Sequence, residues 1–140
     1  MRSLFKKGSL QAFLQQDFDI IIWTEVQASV DQLQKLKNFT KLAYPFCAWN
    51  PANHPDVKYG YSGISIWSKF QPSQITFGLP ADQKGHLNSE GRVLTLQFKD
   101  SIVIGMYAPA SAFYLNRRKR TMFNACTQYW IAQMAKLRFP

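Results

Sequence analysis

The stretch "RVLTLQFKDSIVIGMYAP" at 92–109 constrains the fold more than any other part of the chain. Two apolar runs rich in β-branched residues, "RVLTLQFK" and "IVIGMYAP", are separated only by Asp100-Ser101. A two-residue connection leaves no room for a crossover, so the runs must be antiparallel neighbours. Any fold for this chain has to grow from that hairpin, whose free edges then need cover.

Other segments supply candidates. "DIIIWTE" (19–25) reads as a buried strand that ends on an acid, Glu25. "AYPFCAWN" (43–50) reads as a short strand interrupted by Pro45, which places it near a sheet edge. "SGISIWSK" (62–69) alternates small or apolar with polar residues, as a half-buried strand does, and "SQITFGL" (73–79) is a further strand. Residues 50–62 and 80–91 are rich in Pro, Gly and polar residues and read as loops. In "GSLQAFLQQ" (8–16), Leu10, Phe13 and Leu14 fall at helical spacing behind a possible Ser9 N-cap. "SVDQLQKLKNF" (29–39) repeats apolar residues every third position, from Val30 to Phe39, and a closing helix runs from about Asn116 to Lys136. This order predicts an α+β fold, a layered α/β sandwich in a single domain spanning 1–140.

Hydrophobic content of 46% and aromatic content of 15% exclude a disordered chain. No apolar run approaches the roughly 20 residues of a membrane-spanning helix, so a soluble protein without a membrane partner is expected. A formal charge of +9 favours a polyanionic partner, nucleic acid or an acidic membrane face. Cys47 and Cys126 lie far apart with no metal-type spacing to histidine, so free thiols in a reducing intracellular compartment are expected; nucleus, cytoplasm and mitochondrion are all compatible. His54 and His86 sit in loops. The basic start "MRSLFKKGSLQAFLQQ" fits an organelle-targeting peptide or an ordinary first helix, and the helix is the preferred reading.

Four stretches, in order, resemble the endonuclease/exonuclease/phosphatase superfamily, and within it the exonuclease-III-type apurinic/apyrimidinic endonucleases. "DIIIWTE" resembles the family strand that ends in a metal-binding glutamate. "GYSGISIWSK" (60–69) resembles "GYSGV…LSK". "SEGRVLTLQF" followed by "IVIGMYAPA" resembles the "EGR…Y-x-P-N" hairpin. The likeness runs from about Arg2 to Arg120. It implies a partial fold of mainly one mixed sheet with flanking helices, lacking the family's first strand and C-terminal half.

The resemblance also implies roles. Glu25 takes the position of the Mg²⁺ ligand, and a hard cation prefers carboxylate oxygen. Tyr107 takes that of the active-site tyrosine, whose phenol can donate to a phosphoryl oxygen. Gly60, Tyr61 and Gly63 match a loop that approaches nucleic-acid backbone, and Arg2 lies near a family arginine. Glu90 and Arg92 match the "EGR" segment, as an internal ion pair or a nucleic-acid contact. The helix start "NRRKR" adds Arg117, Arg118, Lys119 and Arg120 as phosphate contacts or a solvated helix face. Two positions depart from the pattern: Gln27 replaces a lysine and Ala110 an asparagine. The family's "WNVNG", "GDxN" and "SDH" motifs do not occur in these 140 residues.

Two functions follow as expectations. One is a fragment of a Mg²⁺-dependent DNA-repair endonuclease, inactive alone, which holds Mg²⁺ only when reassembled with a polypeptide that covers an otherwise open sheet face. The other is a non-catalytic RNA-binding component of a large ribonucleoprotein such as an organellar ribosome.

Overall fold

A computed structural model describes residues 9–28, 43–53, 61–82, 87–110 and 114–137. The elements are α1 (Ser9–Leu14), β1 (Ile20–Thr24), β2 (Phe46–Asn50), β3 (Ile64–Ser68), β4 (Gln74–Phe77), a 3₁₀ turn (Asn88–Glu90), β5 (Val93–Gln97), β6 (Ile102–Met106) and α2 (Tyr114–Met134). The 29–39 segment, His54 and His86 lie outside the described residues, as do Arg2 and Gly60.

The hairpin forms as expected. β5 and β6 pair antiparallel from Val93↔Met106 to Gln97↔Ile102, and the Phe98 N–H donates to the Ser101 carbonyl at 2.8 Å across the turn. The expected single mixed sheet does not form. Two antiparallel three-stranded sheets take its place, in the orders β1-β3-β2 and β4-β5-β6. "AYPFCAWN" is an edge strand of the first sheet, with Pro45 just outside β2.

Side-chain alternation along each strand builds the layers. Ala48, Ile64, Ile66, Leu94, Leu96 and Phe98 point inward and form the core between the two sheets. On the far face of the first sheet, Ile21, Trp67 and Tyr44 pack under Leu10, with α1's Phe13 and Leu14 beside them. On the far face of the second sheet, Val93, Leu79 and Leu87 pack against Phe123 and Trp130 of α2. The order is helix, sheet, sheet, helix. The sheet face expected to be open to water is therefore covered by the second sheet.

That arrangement also corrects the half-buried reading of "SGISIWSK". All five residues of β3 are buried, because its two faces are covered by different layers. Ser65 and Ser68 are both fully buried. Their small side chains fit crowded faces on opposite sides of the strand, and the Ser68 hydroxyl bonds the Phe70 carbonyl and amide. Trp67 is fully buried against Trp23 and Trp49, with ring centroids 5.4 and 5.6 Å away in edge-to-face geometry.

One close contact between the sheets is made at a glycine. A Cβ on Gly105 of β6 would sit 3.0–3.1 Å from the methyl carbons of Ile64, Ile22 and Ile66. Inward-pointing residues reach water only at the lateral margins. Ile22 on β1 is 42% exposed, and Ile75 and Phe77 on β4 are 43% and 57% exposed. No helix among the described residues is long and apolar enough to cross a membrane.

Candidate functional site

Four loops meet at one end of the sandwich: those leaving β1 and β6 and those entering β3 and β5. Their backbone is unusual. Glu25 (φ 52°), Gln27 (φ 47°) and Ser62 (φ 51°) are left-handed without being glycine, and Gly63 has φ 87°. Each non-glycine residue held there costs on the order of 1 kcal/mol, and such residues concentrate at functional sites. Two main-chain bonds over-determine the conformation: Val26 N–H to the Gly63 carbonyl (3.2 Å) and Gln27 N–H to the Ser62 carbonyl (3.1 Å). The buried Val26 side chain anchors the turn, which leaves the Glu25 carboxylate exposed at its crest.

Tyr107 directly follows β6, and its N–H donates to the Arg92 carbonyl at 2.8 Å, so the hairpin pairing carries it to the same end. Its hydroxyl donates to the Glu25 carboxylate. That bond raises the Tyr107 phenol above the ordinary tyrosine range, with burial and the Glu25 charge acting in the same direction.

The "SEGR" segment is seated by Gly91. This residue is left-handed (φ 61°), and a Cβ there would fall 2.6 Å from the Pro51 carbonyl carbon. Close approach lets the Asn53 N–H reach the Ser89 carbonyl (2.9 Å) and the Asn50 side-chain amide reach the Val93 carbonyl (2.8 Å). Glu90 and Arg92, either side of Gly91, are thereby directed into the site.

Arg92 is only 3% exposed. Its Nε bonds Glu90 at 2.5 Å, Nη1 donates to the Tyr107 carbonyl at 3.1 Å and Nη2 to the Tyr61 hydroxyl at 2.9 Å. The guanidinium carbon lies 5.5 Å from the Tyr61 ring centroid and 5.1 Å from that of Tyr107, both within cation–π range. Glu90 accepts a second charged bond from Lys119 of α2, at 2.5 Å. Burial pushes the Glu90 carboxyl up, but the bonds from Lys119 and Arg92, with their charges, outweigh it and hold the group below its ordinary range.

Glu25, Tyr61, Arg92 and Tyr107 thus come together. The internal ion pair read from the "EGR" segment is present. The basic helix start divides: Arg117 and Arg118 are exposed, whereas Arg120 donates to the Pro109 carbonyl (2.9 Å) and to Asn124 (3.2 Å). Arg120 therefore ties α2 to the loop after Tyr107. Lys119 belongs to the run read as phosphate contacts or a solvated helix face, but helix phase sets it apart. It lies four residues before Phe123 and eleven before Trp130, on α2's buried stripe. Gln27 and Ala110, the two departures from the family pattern, are both exposed beside the site.

The described residues do not themselves make a Mg²⁺ site. They contain no cluster of three or more metal-ligating side chains, and both oxygens of Glu90 are engaged by cations. Glu25 offers one carboxylate, with one oxygen bonded by Tyr107. Mg²⁺ dehydrates reluctantly and binds through further carboxylates or phosphates.

No protein-family model matches the chain. It is 32% identical to an exodeoxyribonuclease of Bacillus subtilis over 118 residues, which is 84% of this chain and 42% of that protein. It is 30% identical to the DNA repair nuclease APEX1 of Danio rerio over 110 residues, 78% of this chain and 33% of that protein. The 3′ phosphatase NExo from Neisseria, in a structure bound to product DNA hairpin, superimposes with a TM-score of 0.68 at 21% identity, covering 94% of this chain and 49% of that one. The chain spans less than half the length of these relatives. Sequence and fold together show that the chain carries part of an exonuclease III-type endonuclease/exonuclease/phosphatase fold.

Proposed function

We propose that this chain is the nucleic-acid-binding portion of a DNA-repair nuclease of the apurinic/apyrimidinic endonuclease type, and that it does not hydrolyse DNA alone. The observation that carries this reading is the convergence of Glu25, Tyr61 and Tyr107 at one end of the sandwich. Phosphodiester hydrolysis needs an activated water and several groups that stabilise phosphoryl charge, and such groups act jointly. Here the chain contributes Tyr107 as a donor to a phosphoryl oxygen once it leaves Glu25, and Tyr61 as a contact to the nucleic-acid backbone. Arg117 and Arg118 supply exposed positive charge. Magnesium, which would polarise a phosphoryl oxygen, binds only when further carboxylates come from outside the described residues. Among the described residues β1 is an edge strand with Ile22 exposed beside it, and that edge is where a further polypeptide adds a strand. The expected setting is a reducing intracellular compartment.

The test is anisotropy titration of duplex DNA carrying an abasic-site analogue, followed by a Mg²⁺ cleavage assay. Binding should weaken by roughly tenfold or more between 50 and 200 mM salt, as several phosphate contacts require. Cleavage should appear only when a polypeptide supplying the remaining motifs is added. Cleavage by the chain alone would overturn the assignment.

The exposed Gln27 and Ala110 favour a second reading, a non-catalytic RNA-binding component of a ribonucleoprotein. Tighter binding to structured RNA than to the abasic duplex, with no cleavage on complementation, would select it.

A further inference from the structure

We propose that Lys119 is a positioning residue and not a phosphate contact: through the buried carboxylate of Glu90 it fixes the Arg92 guanidinium, and with it Tyr61 and Tyr107. The inference rests on the proposed nucleic-acid site and assigns a part of it that the basic run "NRRKR" conceals.

The connection is continuous. Lys119 Nζ bonds one oxygen of Glu90 and Arg92 Nε the other, both at 2.5 Å. The side chains of Glu90 and Arg92 are 8% and 4% exposed, so their pairing has no water to replace it. Arg92 then spends its remaining nitrogens on the Tyr61 hydroxyl and the Tyr107 carbonyl while lying near both rings. A carboxylate with a single cationic partner could rotate toward it. With one cation on each oxygen, its plane and hence the Arg92 fork are set. Lys119 reaches Glu90 from α2, an element that otherwise meets the sheet through Phe123 and Trp130. The helix is thereby coupled to the orientation of two tyrosines at the sandwich end. Its charge is spent on Glu90, unlike those of Arg117 and Arg118.

The experiment uses the full 140-residue chain with ¹³C-labelled tyrosine, the Tyr61 and Tyr107 ring signals being assigned through Tyr61→Phe and Tyr107→Phe. Lys119→Met keeps the aliphatic stem and removes the charge. The signals of both tyrosines should move in Lys119→Met, return in Lys119→Arg, and stay in place in Arg118→Met. In DNA titrations, Lys119→Met should weaken affinity several-fold with the salt slope unchanged, whereas Arg118→Met should reduce the slope by about 0.9. Unmoved tyrosine signals in Lys119→Met, or a slope that falls by about 0.9 in that variant, would overturn the inference. If the chain binds no DNA at any salt concentration, the proposed function fails, and the tyrosine signals still decide the role of Lys119.

Discussion

Three glycines in this chain are required for different reasons, and replacing each with alanine separates backbone conformation from packing. Gly63 has φ 87° but open surroundings, since a Cβ there would meet nothing closer than 3.5 Å. Its alanine variant should cost only the left-handed penalty, about 1–2 kcal/mol. Gly105 shows the opposite case: no unusual φ, with three isoleucine methyls at 3.0–3.1 Å. Two of those methyls, on Ile64 and Ile66, are the Cδ1 ends of flexible side chains, so Gly105→Ala should cost about 1 kcal/mol, at the low end of overpacking. Gly91 combines both problems, and the atoms in the way are main-chain atoms of Asn50 and Pro51 that cannot rotate aside. Its alanine variant should lose roughly 2–5 kcal/mol, the sum of the left-handed cost and a 1–3 kcal/mol displacement of the β2 end. Against a total stability on the order of 10 kcal/mol, that shifts a urea midpoint by a large fraction. Urea unfolding of the three variants at fixed pH and salt measures the series. The reasoning fails if Gly91→Ala is no more destabilised than Gly63→Ala, because the close approach to Pro51 would then carry no energy.

Three further outcomes are expected. The Tyr107 phenol is raised in the folded chain, so the stability it contributes is intact below the ordinary tyrosine value near 10 and is lost as pH rises through the higher folded value; Tyr107→Phe should flatten that alkaline decline in a denaturation series. Glu90 has the opposite sign. Its carboxyl is lowered, so the stability it contributes is present above the ordinary value of about 4.5 and is lost as pH falls through the folded value, and Glu90→Gln should remove this part of the acid transition while lowering stability at neutral pH. Trp130→Phe deletes the bond from the indole N–H to the Thr95 hydroxyl (3.0 Å) and leaves that buried hydroxyl without its donor, at a cost of about 1–3 kcal/mol by urea unfolding.

The hairpin, β1 and the closing helix were readable because each is fixed by local chemistry: a two-residue turn, a run of isoleucines, a long polar-apolar period. Which strands share a sheet was not. "SQITFGL" has the same alternation as "SGISIWSK", and periodicity says which side chains share a face but not which strand lies beside which. In the fold, the chain leaves the first sheet after Ser68 and begins the second at Gln74, with the Ser73 N–H bonded to the Gln97 carbonyl (2.7 Å). That change of sheet is made by main-chain bonds, which leave little trace in sequence. The site shows the same division. Glu25, Tyr61 and Tyr107 were found through motif likeness, whereas Lys119 was assigned by composition, as one cation among four, when its register on α2 already set it against Phe123 and Trp130. Charge runs report attraction at a distance; helix phase reports what an individual side chain touches.

The aromatic cluster beneath α1 has an optical consequence. Trp23, Trp49 and Trp67 touch one another through Trp67, while the chain's remaining tryptophan, Trp130, lies across the second sheet in another core. Indoles in edge-on contact couple their ultraviolet transitions, so the trio should give an exciton signature in circular dichroism that vanishes when that layer loosens. Emission from Trp130 would follow the opposite layer. The chain therefore carries two built-in reporters, one for each side of the sandwich, and coincidence of their melting curves would show whether both halves come apart in a single step.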